Sequence, residues 1–138
     1  MATRKFQIYR GDNESGELVN FETEVAEGMV VLDVVHRIQA HQANDLAVRW
    51  NCKAGKCGSC SVEINGKPKL SCMTRMNEYA PDETIIITPM KTFPIIKDLV
   101  TDVSWNYTQN KRIKPVKLAL EAKTDKGYVM YQEDVDRV

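Results

Sequence analysis

The chain has 138 residues with 19 basic and 19 acidic side chains, a formal net charge of zero, which argues against a nucleic-acid binder that relies on bulk positive charge. No run approaches the roughly 18 consecutive apolar residues of a membrane span, and four cysteines in 138 residues are far from the density of a disulfide-stapled secreted scaffold. The first residues, Met1 to Gln7, lack an apolar signal core and run straight into a strand pattern, so the expectation is an intracellular module without a secretory or long transit segment.

In chain order, Arg4 to Arg10 reads as a strand with Phe6 and Ile8 on one face. The turn-rich stretch Gly11 to Gly16 and a second strand from Leu18 to Val25 complete a β-hairpin. After Gly28, Val31, Val34, Val35 and Ile38 recur at helical spacing, predicting a helix to about His41 with one buried stripe.

Three of the four cysteines then fall in a nine-residue stretch, Cys52, Cys57 and Cys60, with Cys72 after eleven intervening residues. The pattern C-x4-C-x2-C with a distal Cys is the plant-type signature of a [2Fe–2S] cluster held by four thiolates. The intervening residues suit that task. Gly55 and Gly58 supply backbone angles that a Cβ would disfavour, and Ala54 and Ser59 are small. A tight wrap turns backbone N–H groups toward the sulfurs, where they help set the reduction potential. Lys53 and Lys56 flank the ligands, and their charge is expected to favour the reduced, more negative cluster.

The segment from Ser61 to Ser71 alternates β-branched and polar residues around Asn65 and Gly66, a strong hairpin signal. A three-residue loop from Asn65 to Lys67 sets Cys60 opposite Cys72; a two-residue Asn-Gly loop sets Cys60 opposite Ser71, with Cys72 one place along. Either register carries the distant cysteine back to the loop. Glu83 to Thr88 reads as a buried strand closed by Pro89. The order hairpin, helix, loop, hairpin, strand predicts an α+β protein of β-grasp type, a plant-type [2Fe–2S] ferredoxin-like sheet over residues 1–92 with one helix packed across it.

From Pro94 a second helix is expected, with Ile96, Leu99, Val100, Val103 and Tyr107 on one face. From Asn110 onward the chain is polar and charged and reads as an extended connector, so residues 93–138 are expected to be helix and connector. Structural zinc competes for four cysteines, but its usual layout is two short knuckles separated by a spacer, and here only Cys57 and Cys60 make a knuckle. Disulfides are a weaker competitor in a chain long enough to build a core. His36 and His41 are read as surface or packing residues rather than ligands, Trp50 as a shield for the cluster, and Trp105 as packing or a partner anchor. No Gly-rich phosphate fingerprint is present.

Cys52-x4-Cys57-Gly-Ser-Cys60, Ile64-Asn-Gly66, Leu70-Ser-Cys72 and Phe93-Pro-Ile-Ile-Lys-Asp-Leu-Val100 together resemble the amino-terminal part of the iron–sulfur subunit of succinate dehydrogenase or fumarate reductase. The likeness covers nearly the whole chain. The downstream Phe-Pro-x-Ile-Lys-Asp-Leu run separates it from the small iron–sulfur subunits of molybdenum hydroxylases, which share the cysteine spacing but carry four further cysteines. Around the first ligand many members read Arg-Arg-Ser-Cys-Arg-Glu-Gly, whereas here Arg49, Trp50 and Asn51 precede Cys52 and Lys53, Ala54 and Gly55 follow.

The resemblance implies a non-catalytic electron-transfer subunit of respiratory complex II. It would pass single electrons between the FAD of a flavoprotein subunit and further [4Fe–4S] and [3Fe–4S] clusters that lead to quinone at membrane anchor subunits. It also implies a peripheral position on the cytoplasmic face of a bacterial inner membrane, and a further helical iron–sulfur domain that would start near Val138, so that the chain reads as a fragment. A free ferredoxin-like carrier and a zinc-stabilised interaction module are the competing function classes.

Overall fold

In the computed structural model, residues 2–114, 118–124 and 127–137 are described. They fall into two compact units, Met1–Val103 and Ser104–Val138.

The first unit is built on a five-stranded mixed sheet. Its strands are β1 (Ala2–Gly11), β2 (Gly16–Val25), β3 (Ser61–Ile64), β4 (Lys67–Leu70) and β5 (Ile85–Thr88), in spatial order β2-β1-β5-β3-β4. Only β1 and β5 run parallel; the other neighbours are antiparallel. Period-two alternation explains the layering, because successive strand side chains point to opposite faces. Phe6 pairs with Phe21 and Ile8 with Val19 across the first hairpin, while Phe6, Ile8, Ile85 and Ile87 are all buried. The β-grasp sheet expected from the element order is the one observed.

Helix α1 (Val31–His41) packs its Val31, Val34, Val35 and Ile38 stripe into the same core. Its first turn is satisfied partly from outside, since the first amides of a helix have no intrahelical acceptors. The Asp33 carboxylate accepts from the Val30 N–H at 3.1 Å. The Val31 and Leu32 amides donate to the carbonyls of Thr74 and Ser71 at 2.9 and 3.0 Å. The helix start is thereby fastened to the residues beside Cys72.

The chain after Pro94 departs from expectation. In place of a helix, Ile95–Lys97 and Val100–Thr101 form a small antiparallel hairpin, β6 and β7, turning at Asp98 with φ of 50°. A left-handed residue ends any helix, and Asp is one of the few side chains that tolerate it. Ile95, Ile96, Val100 and Thr101 are β-branched, which favours strands. The apolar spacing that mimicked a helical stripe is resolved differently: Leu99 is buried and Ile96 is exposed.

In the second unit, α2 (Ser104–Arg112) buries no side chain, and both Trp105 and Tyr107 are exposed. Strands β8 (Leu118–Thr124) and β9 (Gly127–Met130) pair antiparallel, and a short helix α3 (Gln132–Arg137) follows. The polar stretch read as connector therefore carries regular structure of its own.

Truncation in the middle of the sheet tests the core assignment. Ile85→Ala should lower the unfolding free energy by about 2–5 kcal/mol, measured as a drop in the urea midpoint at unchanged slope.

Candidate metal centre

The segment from Ala43 to Cys60 contains no helix or strand, so its course is set by hydrogen bonds and by backbone angles. Lys53, Gly55 and Gly58 all have left-handed φ, at 54°, 68° and 74°. The two glycines were expected there; a lysine in that region was not, and nothing in its chemistry signals it. These reversals curl the loop so that three backbone amides face one sulfur. The Sγ of Cys52 accepts N–H bonds from Ala54 at 3.3 Å, Lys56 at 3.3 Å and Cys57 at 3.4 Å. The Sγ of Cys57 accepts from Ser59 at 3.4 Å.

The hairpin delivers the other two thiols. Asn65 and Gly66 have φ of 50° and 81°, and Ser61 pairs with Leu70 and Ile64 with Lys67, so the two-residue loop is the register adopted. Cys60 thus faces Ser71, whose amide and hydroxyl both donate to the Cys60 carbonyl, at 3.3 and 2.9 Å. Cys72, one place along, donates its N–H to the Cys60 Sγ at 3.4 Å. Leu32 of α1 packs on both Cys60 and Cys72. Leu32 lies off the stripe that fills the main core, and an apolar residue out of phase was the sequence signal for this second contact.

The four thiols are free and unequally exposed: Cys57 is exposed, Cys52 intermediate, and Cys60 and Cys72 are buried. The Ser59 hydroxyl, with the backbone amides of Cys52 and Ser59, brings the Cys57 thiol down to about 6. Burial pushes the Cys72 thiol up, as do the hydrogen bond with Cys60 and the proximity of the Cys60 and Cys52 sulfurs, while the Gly55 amide pulls it down. That last interaction joins the loop to the hairpin.

Trp50 was expected beside the loop, but its partners there, and the contact of Met73, were not. The Met73 side chain lies where a Cβ on Gly55 would project, 3.0 Å from its Cγ. Trp50, 48% exposed, stacks edge-on against His36 at 5.0 Å between centroids, with the Lys53 ammonium 4.7 Å above the indole. His36 is half-buried with an unpartnered Nε2, and burial, followed by the charge of Lys53, lowers its pKa. His41 is exposed at the end of α1. The Lys56 side chain is exposed beside the ligands.

The donor set fits a thiolate-bound iron–sulfur cluster: four unpaired sulfurs on one loop and one hairpin, with inward amides able to bond anionic sulfur. Among the described residues no three Cys, His, Asp or Glu side chains gather tightly enough to hold a single ion. Four thiolates shared between two irons do not need to converge on one point.

Fold and site together define a ferredoxin-like module of the plant [2Fe–2S] type. The model of the family described as the 2Fe-2S iron-sulfur cluster binding domain matches residues 5–108, and the chain belongs to that family. Among curated proteins it is 37% identical over 108 residues to the fumarate reductase iron-sulfur subunit of Mycobacterium tuberculosis, covering 78% of this chain and 43% of that protein. It is 33% identical over 135 residues to the succinate dehydrogenase iron-sulfur subunit of Paracoccus denitrificans, covering 95% and 51%. Among solved structures it matches a chain of the Mycobacterium smegmatis Sdh1 complex in the apo form, with a TM-score of 0.85 and 52% identity, covering 99% of this chain and 56% of that one. The chain spans about half the length of the curated relatives it matches.

Two measurements follow from the site's geometry. In the cluster-free chain, alkylation by iodoacetamide should be fastest at Cys57, its rate rising with pH through about 6 and levelling above, while buried Cys72 reacts last; peptide mapping at a series of pH values reads this directly. Gly55→Val should lower the iron and sulfide retained per chain, because the new Cβ meets Met73 and the branched side chain disfavours the left-handed φ.

Proposed function

We propose that Cys52, Cys57, Cys60 and Cys72 hold a [2Fe–2S] cluster and that the chain is the electron-relay module of a succinate dehydrogenase or fumarate reductase. In this reading single electrons pass between the FAD of a flavoprotein subunit and further [4Fe–4S] and [3Fe–4S] clusters toward membrane quinone. The observation that carries it is the loop itself, with three backbone amides on the Cys52 sulfur, in a chain that matches an Sdh1 complex subunit over 99% of its length.

When bound, the cluster supplies a one-electron store, and the chain's residues hold and tune it. Gly55, Gly58 and Ser59 shape the loop backbone; the amides of Ala54, Lys56, Cys57 and Ser59 offset negative charge on sulfur. Leu32 excludes water from Cys60 and Cys72, and Trp50 covers the side of the loop that faces α1. Lys53 and Lys56 supply positive charge that favours the reduced state. No acid or base is required of this module, and the chemistry on succinate or fumarate belongs to the flavoprotein. No helix among the described residues is long and apolar enough to cross a membrane; in this reading the chain takes a peripheral place on the membrane face, reached through anchor subunits.

The test is composition and company. The purified chain should hold two irons and two acid-labile sulfides, show visible absorption, and give an EPR signal on reduction; Ser replacement at any of the four cysteines should reduce the iron content. Zinc in place of iron would sink the assignment, and a cluster-bearing chain that never co-purifies with a flavoprotein would instead make it a free carrier. The double variant Lys53→Glu, Lys56→Glu should lower the midpoint potential, by no more than about 60 mV, one decade of electron affinity for a one-electron couple, because exposed charges are screened. A potentiometric titration at low salt reads it.

A further inference from the structure

The approach to the metal centre has no regular structure of its own, so something must hold it. From Ala43 to Asn51 the backbone is neither helix nor strand, and yet Trp50 and Cys52 need a defined position. One side chain supplies much of the restraint, and it sits in the hairpin that replaced the expected helix. Asp98 is 1% exposed. Its Oδ2 accepts the Ala47 N–H at 2.8 Å and its Oδ1 the Gly11 N–H at 2.9 Å, with the Arg10 Nε at 3.3 Å.

Backbone bonds repeat the same joints. The Asp98 N–H donates to the Gly11 carbonyl at 2.7 Å and the Leu99 N–H to the Ala47 carbonyl at 3.2 Å. Lys97 Nζ donates to the Asp45 carbonyl at 3.0 Å, and Arg10 reaches the Asp45 carboxylate at 2.8 Å. Three stretches far apart in sequence, the end of β1, the approach segment and the β6–β7 turn, therefore meet at one buried carboxylate. Such a group is held by its partners and is costly to leave with fewer of them. The left-handed φ of Asp98, 50°, aims it there.

We infer that Asp98 is a positioning residue for the metal centre, fixing the Ala47 end of the approach segment and through it the seat of Trp50, Lys53 and Cys52. The inference rests on the reading of the four cysteines as cluster ligands. Asp98 touches no sulfur; it acts through the backbone it anchors. Asn is its most informative replacement. It keeps the size and the tolerance for a left-handed φ, but it loses the charge toward Arg10, and its NH2 must face one of the two backbone donors.

The test uses the full chain carrying its cluster. Asp98→Asn should lose the cluster to a ferrous chelator several-fold faster than wild type, shift the midpoint potential and broaden the reduced-state EPR spectrum. Phe21→Leu, on β2 at the opposite sheet edge from β3 and β4, serves as the comparison at a matched loss of Tm and should retain wild-type spectra. Asp45→Asn removes only the exposed carboxylate on Arg10 and should also leave the spectra unchanged. If Asp98→Asn matches Phe21→Leu in chelator rate, potential and spectrum, the positioning role is overturned; if Asp45→Asn reproduces the Asp98→Asn effects, the charge on Arg10 and not the amide anchor is responsible, which overturns it equally. A wild-type chain that takes up neither iron nor sulfide would overturn the ligand reading instead. Should Asp98→Asn fail to fold, amide hydrogen exchange on the wild type decides: slow exchange at Ala47 and Gly11 supports the anchor, and exchange as fast as that of exposed loop amides refutes it.

Discussion

The arrangement of the metal centre depends on one residue that is not in it. Asn65 turns the β3–β4 hairpin with φ of 50°, and it is at the same time joined to the middle strand of the sheet. Its N–H donates to the Ile86 carbonyl at 2.8 Å, and its Oδ1 accepts the Ile86 N–H at 2.8 Å. The side chain thereby stands in for a strand partner that the turn would otherwise remove, and Nδ2 reaches Glu83 at 3.2 Å. A two-residue turn with both central φ values positive matches the right-handed twist of the flanking strands. A one-residue change in loop length would flip every side chain of β4 to the other face and take the Ser71 contact away from Cys60. The turn thus fixes the register of β4 against β3 and the place where Cys72 returns.

Around that fixed hairpin the sulfurs are held by two different kinds of restraint. Cys60 and Cys72 are held by sheet pairing and by Leu32 from α1, both buried, and at Cys72 burial disfavours the thiolate. Cys52 and Cys57 are held by a loop whose amides turn inward, and at Cys57 the anionic form is favoured. The opposite directions of the Cys57 and Cys72 pKa shifts are the two halves of this arrangement. Four thiolates on one loop and one hairpin would need compensating positive charge. Backbone dipoles supply part of it on the loop side, and cations would supply the rest on the buried side.

The legible parts of the sequence were those where one physical requirement dominates. Apolar periodicity placed β1, β2, α1 and β5 because burial is decided residue by residue, and the cysteine spacing pointed to the proposed ligand set because so few residue types bind iron in that pattern. Asn65 and Gly66 announced a turn but left its loop length open, since Lys67 can extend it; the bond to Ile86, long-range in sequence, closed the question. The region after Pro94 was misread for a related reason. Apolar residues three and four apart fit a helix and a short hairpin alike, and the deciding feature was a buried Asp whose partners, Gly11 and Ala47, lie 87 and 51 residues away. Lys53 in a left-handed conformation and Met73 over Gly55 were equally invisible, because neither is the residue type that the geometry favours.

The unequal seating of the four sulfurs bears on how such a module would work in a relay. A group that gains and loses one electron must change charge without rearranging, or the reorganisation slows each transfer. The hairpin pair answers that demand, being backed by a sheet and a helix. The loop pair answers a second one, closeness to whatever donates or accepts the electron, because Cys57 is exposed. Exposure brings in water, whose reorientation is the larger penalty. Inward amides on the Cys52 sulfur and the Trp50–His36–Lys53 stack replace mobile water with dipoles and charge already in place. Rigidity at the buried end and preorganised polarity at the exposed end meet the same requirement at two different depths in the protein.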